Sequence, residues 1–202
     1  MNPPFGGKEG KEAQTRFAYK TGATQLLFLQ HVIDSLKPGG RCAIVLDEGV
    51  LFRTNETAFS QTKRKLLDEC DIWCIVSLPA GAFVNAGAGV KTNLLFFTKG
   101  RPTERTWYYD LSGIKVGKKS PLTLAHCEEC FRLLPERGDS DQSWSVSRAG
   151  IEAQGFDLKA VNPHAKNNMD TRTPEQLLDP IEEKGKEVAA ALAALRSTLA
   201  KG

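Results

Sequence analysis

Apolar and polar positions alternate with two different periods along most of this chain. From Thr24 to Lys37, Leu26, Leu29, Ile33 and Leu36 fall on one face of a helix. Thr24 is placed to cap its start, and Pro38-Gly39-Gly40 stops it. Arg41 to Leu46 is then a short apolar run of the kind that a sheet buries on both faces. The pattern repeats. Gln61 to Cys70 reads as a short basic helix and Ile72 to Leu78 as a second buried strand. Pro79 to Lys91 is a Gly/Ala-rich loop, Thr92 to Lys99 a third strand and Arg105 to Leu111 a fourth. Helices and strands in this order predict an α/β sheet with right-handed crossovers. The loop between the second and third strands is too short for a crossover helix, so that pair is expected to be antiparallel.

The flanks carry a weaker signal. Residues 1–23 lack periodicity, are rich in Gly and Lys, and read as an exposed loop. Residues 112–123 read as a loop, Leu124 to Leu134 as a short helix, and 135–173 as irregular. Pro174 to Lys201 is again helical. Ile181, Val188 and Leu195 recur once per heptad, with Leu192 and Leu199 at the matching second position. Lys184 and Gly185 weaken the first turns of this helix. Such a seam either packs back on its own domain or receives a helix from a partner.

Composition narrows the picture a little. With 202 residues, 41% hydrophobic and 25% charged, the chain suits one globular domain plus an appendage. A net charge of +3 neither demands nor excludes nucleic acid. Five cysteines, no signal peptide and no apolar run long enough to span a bilayer predict reduced thiols in the cytoplasm. Cys127 and Cys130, beside His126, are half a zinc site, and Cys70 and Cys74 are the only other candidates, so buried thiols and no metal are expected. Gly87 to Thr92 lacks the Gly-Lys-Ser/Thr ending of a phosphate loop and precedes a strand. His31, His126 and His164 are scattered, without a nucleophile-elbow motif. Lys63-Arg64-Lys65 reads as a solvated helix face, with DNA contact as the alternative.

The informative stretch is Asn2-Pro3-Pro4-Phe5. By itself it could be no more than a frayed terminal turn. Its chemistry suggests more. An adenine amine is a poor nucleophile because its lone pair is delocalised into the ring. An Asn side-chain carbonyl accepts one amine hydrogen. A backbone carbonyl held by a rigid proline accepts the other. An aromatic ring then stacks on a base flipped out of the duplex. With a sulfonium methyl donor no strong base is needed, provided that donor, amine and leaving group are in line.

These four residues match the Asn-Pro-Pro-Tyr/Phe motif of amino-methyltransferases. The stretches FLQHVIDSLKPGGRCAIVLDEGVLF, KRKLLDEC, IVSLPAGAFVNAGAGVKTNLLFFTKG and TWYYDL follow in order over residues 1–111, with FDLKAVNPH at 156–164. Together they resemble the modification subunits of type I restriction–modification systems, which are adenine-N6 DNA methyltransferases. The resemblance implies the C-terminal portion of a Rossmann-like, S-adenosylmethionine-dependent methyltransferase fold with a C-terminal helical extension. Residues 1–111 would be the catalytic half-domain, 112–173 an irregular family-specific region, and 174–202 an interaction helix.

It further implies that Asn2 and the Pro3 carbonyl hold the target amine, with Pro4 completing the rigid turn. Phe5 would stack on the adenine, Phe83 would give a second aromatic contact, and Lys8, Lys11 and Arg16 would meet DNA phosphates. Partners would be double-stranded DNA, a specificity subunit and a restriction subunit. The family's glycine-rich cofactor segment precedes the catalytic motif, so the main cofactor-binding residues are expected outside this chain, which alone would then be inactive. Many members also have a proline before the acidic residue in the stretch that corresponds to Leu46-Asp47-Glu48, and this chain has none there. Alternatives are a methyltransferase acting on RNA or a protein amide, and a non-catalytic assembly module. A sheet ended on an unpaired edge is also expected to aggregate in isolation.

Overall fold

A computed structural model describes residues 1–87, 89–159, 161–164 and 173–199. It divides into two units, residues 1–165 and 166–202. In the first, a five-stranded mixed sheet is built from β1 (Arg41–Asp47), β2 (Cys70–Ser77), β3 (Thr92–Lys99), β4 (Arg105–Asp110) and β5 (Ser143–Ser147), in the order β1-β3-β2-β4-β5. β3 lies antiparallel between β1 and β2, β4 runs parallel to β2, and β5 closes the far edge antiparallel to β4. The antiparallel β2–β3 pair agrees with the short loop that joins them.

Register explains the core. Ile44, Leu95 and Ile75 lie side by side across three strands, and Cys42, Phe97 and Ile72 form the next row. Two helices cover that face, α2 (Thr24–Ser35) with Leu26, Leu29 and Ile33, and α4 (Thr57–Glu69) with Phe59, Leu66 and Leu67. Each of these side chains, removed from water, is worth about 1.5–3 kcal/mol. Residues one step along the strands point the other way. Cys74, Val76, Trp107 and Tyr109 form a second cluster with Cys130 of α5 (Glu128–Leu133). Trp144 stacks on Tyr108 at 5.5 Å between ring centres and ties β5 to β4.

Several elements differ from the sequence expectation. Thr24 does not cap α2; Ala23 holds that position without a side-chain bond, and the Thr24 hydroxyl donates to Glu9 Oε1 at 3.1 Å. α4 starts at Thr57, four residues before Gln61, because Phe59 belongs to its buried face. A five-residue helix, α3 (Glu48–Phe52), follows β1 directly, capped by the Asp47 carboxylate on Val50 N–H at 3.0 Å. The stretch read as irregular holds β5 and α6 (Arg148–Ala153), capped by Ser147. A four-residue turn of helix, α1 (Lys11–Gln14), interrupts the N-terminal loop. These pieces are too short to show a period.

The second unit contains α7 (Pro174–Leu199), 26 residues with Pro180 inside. Leu178, Ile181, Val188, Leu192 and Leu195 are 50–65% exposed along it. The side chain of Leu199, the second seam position expected nearest the end, lies outside the described ones, as do residues 165–172 and 200–202.

Candidate active site

The Asn2–Phe5 stretch sits at the C-terminal end of β1. The Met1 ammonium donates to Ala43 O, and Val45 N–H donates to Met1 O at 3.0 Å. Those two bonds have the pattern of a parallel pair on the free edge of β1. Pro3 is buried, while Asn2 and Pro4 are exposed. The Asn2 amide therefore faces solvent from a turn that its buried neighbour anchors. Phe5 is half-buried, and its ring lies 5.3 Å from that of Phe83 at 59°. Phe83 belongs to the loop between β2 and β3, whose neck is tied by Leu78 N–H to Thr92 O at 3.0 Å. The two expected base-contacting rings thus come together from distant parts of the chain.

After Phe5 the backbone turns through Gly6 and Gly7, at φ of +77° and +96°. A Cβ on Gly7 would meet Thr24 Oγ1 at 2.8 Å, so glycine is needed there for space as well as for conformation. The loop that follows is pinned to α2 at two points. Glu9 accepts the Thr24 hydroxyl, and the buried Gln30 amide both donates to Tyr19 O and accepts from Tyr19 N–H, at 2.9 and 3.0 Å. Gln25 reaches from α2 to the end of β1, where its Oε1 accepts Asp47 N–H at 2.9 Å. A cavity of about 340 Å³ lies here, lined among others by Gly6, Gly7, Lys8, Gln25, Asp47 and Arg53. The side-chain polar atoms Gln25 Nε2, Thr92 Oγ1 and Asn93 Nδ2 are buried without a partner among the described residues, all at this end of the sheet.

Known proteins share this sequence and fold. The family model for N-6 DNA methylases matches residues 1–172. The chain belongs to this N-6 DNA methylase family. It is 34% identical over 211 aligned positions to the EcoEI type I restriction enzyme methylase subunit of Escherichia coli, covering 98% of this chain and 42% of that one. It is 38% identical to the EcoKI methylase subunit of Escherichia coli K12, covering 67% of this chain and 27% of that one. A chain from a solved type I restriction–modification system superposes over all of this chain and 44% of its own length, with a TM-score of 0.76 and 36% identity. The chain therefore spans less than half the length of these relatives, and its sheet and helices have the type I modification-subunit methyltransferase fold.

The remaining candidate residues of this N-6 methylase chain are dispersed. Of the three cations expected near phosphates, Lys8 lines the cavity beside the motif. Lys11 stands exposed at the start of α1. Arg16 lines a separate cavity of about 590 Å³, with Phe17, Phe28 and His31. Cys127 is half-buried and Cys130 is buried against the Cys74 cluster. Burial pushes the Cys130 thiol up to about 11 and Cys74 to about 12, which leaves both inert at neutral pH. Among the described residues, no group of three or more His, Cys, Asp or Glu is placed to hold a metal ion.

Lys63 corrects the reading of Lys63-Arg64-Lys65 as a solvated face. It is fully buried, and its ammonium donates to Leu51 O and Arg53 O, both at 2.7 Å. Those are carbonyls at the end of α3, which the helix itself leaves unpaired. Burial pushes this ammonium down to about 8, partly opposed by Asp157. Asp157 belongs to the Phe156–Lys159 segment, which docks on α3 through Leu158 N–H to Leu51 O at 3.1 Å and Lys159 Nζ to Glu48 at 2.9 Å. Asp47, in the Leu46–Glu48 stretch that lacks the expected proline, thus caps α3, and Lys63 and the Phe156–Lys159 segment clasp it.

Proposed function

We propose that this chain supplies the target-base side of a DNA adenine-N6 methyltransferase, as the modification subunit of a type I restriction–modification complex. One observation carries the reading. An exposed Asn2 lies three residues before Phe5, whose ring packs on that of Phe83, on a turn anchored by buried Pro3. The Asn2 side-chain carbonyl and the Pro3 carbonyl accept the two hydrogens of the adenine amine, so that the nitrogen lone pair is freed toward the methyl donor. Phe5 stacks on the flipped base, and Phe83, packed against Phe5, gives the second aromatic contact. The nitrogen, cationic once it carries the methyl group, gives up one proton to solvent, and Asn2 keeps it oriented while this happens.

S-adenosylmethionine is the donor that this family reading implies, and it would supply an electrophilic methyl group on sulfur. Among the described residues no glycine-rich loop links a strand to a helix, the arrangement that commonly seats a nucleoside cofactor. No donor contact is therefore assigned to this chain. The apolar seam of α7 fits docking against helices of a specificity subunit, with a restriction subunit joining the same complex. Sequence choice would then come from the partner.

The deciding experiment measures methyl incorporation from S-adenosylmethionine into duplex DNA by the complex containing this chain. RNA and a glutamine-bearing protein serve as competing acceptors. Transfer to adenine N6 in duplex DNA that Asn2→Ala abolishes supports the reading. Transfer to another acceptor overturns the substrate class. Stable assembly with a specificity subunit and no transfer to any acceptor points to the assembly module instead.

A further inference from the structure

We propose that the cavity beside Gly6 and Gly7 is a phosphate seat, occupied by a phosphodiester of the DNA strand that carries the target base. This rests on the function proposed above and deepens it. The seat is built on the start of α2, where Ala23, Thr24 and Gln25 line the cavity. This twelve-residue helix begins without a side-chain cap. The N–H groups of Thr24 and Gln25 have no acceptor among the described residues. An uncapped helix start presents free donors and a partial positive charge.

A second observation points the same way. Gln25 is 2% exposed, and its Oε1 is committed to Asp47 N–H, which fixes the amide and leaves Nε2 without a partner. A buried amide donor held in one orientation at a cavity wall calls for an acceptor. Lys8 lines the same cavity, and its ammonium has no ion pair among the described residues. Each acid nearby has one oxygen engaged. Asp47 Oδ1 caps α3, Glu56 pairs with Arg53 at 3.6 Å, and Glu9 Oε1 receives the Thr24 hydroxyl. The open donors of Gln25 and the helix start, with the Lys8 ammonium, suit a ligand that accepts hydrogen bonds and carries negative charge. Gly6 and Gly7 join this cavity directly to Phe5, so an anion seated here belongs next to the base slot.

The test uses the full chain, titrated with a duplex oligonucleotide at several salt concentrations and, separately, with inorganic phosphate. Two variants probe the seat. Lys8→Gln alters an exposed side chain. Gln25→Glu keeps the acceptor for Asp47 N–H and replaces the free donor by a carboxylate oxygen. The seat predicts that Lys8→Gln reduces the slope of log affinity against log salt by about one. It predicts that Gln25→Glu weakens duplex binding by about tenfold or more. Unchanged affinity and slope in both variants overturns the seat, and does so even if Asn2→Ala abolishes methylation and the proposed function stands. Phosphate binding that both variants abolish, with no duplex binding by any form, overturns the assignment to DNA. A wild-type chain that binds neither ligand overturns the seat outright.

Discussion

The proposed target-base site combines an exposed group with a buried neighbour. Asn2 offers its amide to solvent because Pro3 is buried and Met1 is tied to β1. Asn2→Ala should lower methyl transfer by the assembled complex by about a hundredfold or more, the usual cost of losing one transition-state hydrogen-bond partner. Its duplex affinity should stay nearly unchanged, and a filter-binding assay beside the transfer assay separates the two. Phe5→Ala should do the opposite in part, because base–aromatic stacking is worth about 1–3 kcal/mol. Loss of enhanced fluorescence from 2-aminopurine at the target position would report it. Lys63 shows the converse arrangement, a charge used entirely inside. Lys63→Met would leave the Leu51 and Arg53 carbonyls and Asp157 without their cation, and should cost about 3 kcal/mol in denaturant unfolding.

At the scale of elements, short caps and clasps position the site. α3 is only five residues long, and no such helix stands alone in water. It persists because Asp47 caps one end, Lys63 satisfies the other, and the Phe156–Lys159 segment lies across it. α7 presents a different balance. Gly185 lies within it, and a Cβ there meets nothing within 4 Å. Gly185→Ala should therefore stabilise the helix by roughly 0.8–1 kcal/mol, visible as higher helical circular dichroism and a later melt of that signal. Val188→Asp, in the exposed seam, should abolish capture of a specificity subunit and leave the melting of residues 1–165 unchanged. Retained capture would remove the seam from the docking proposal.

Over the whole molecule, the buried ionisable groups set the response to pH. Lys63 has a folded value near 8 against 10.5 for the free side chain, so the unfolded chain binds the extra proton between those values and stability from this group rises with pH. The thiols act in the other direction. Burial raises Cys70 and Cys130 to about 11 and Cys74 to about 12, from 9.0. Their contribution is complete below 9 and is lost as pH climbs toward the folded values, because the unfolded thiols ionise first. Three thiols outweigh one lysine, so stability should be greatest between about pH 8 and 9 and fall above it. Urea unfolding across pH 7 to about 11 checks this, and Cys74→Ala should flatten the alkaline decline. A stability that keeps rising to pH 11 would contradict the burial of these groups.

The first four strands, the longer helices before the first two of them, the antiparallel second and third strands and the family were legible in the amino-acid sequence. Each depends on local pattern, such as an apolar period, a Pro-Gly stop, or a motif of adjacent residues. Tertiary structure alone decided the rest. Phe5 meets Phe83 because β3 inserts between β1 and β2 and brings the β2–β3 loop to the end of β1. Lys63 sits in a basic run that reads as solvated, yet its position on α4 turns it inward, where unpaired helix carbonyls accept its charge. Thr24 looks like a cap and becomes a wall of the cavity, because Glu9 takes its hydroxyl from across a loop. Contacts between residues far apart in the chain carry no periodic signature, and burial of a polar group is settled by the partners that folding delivers to it.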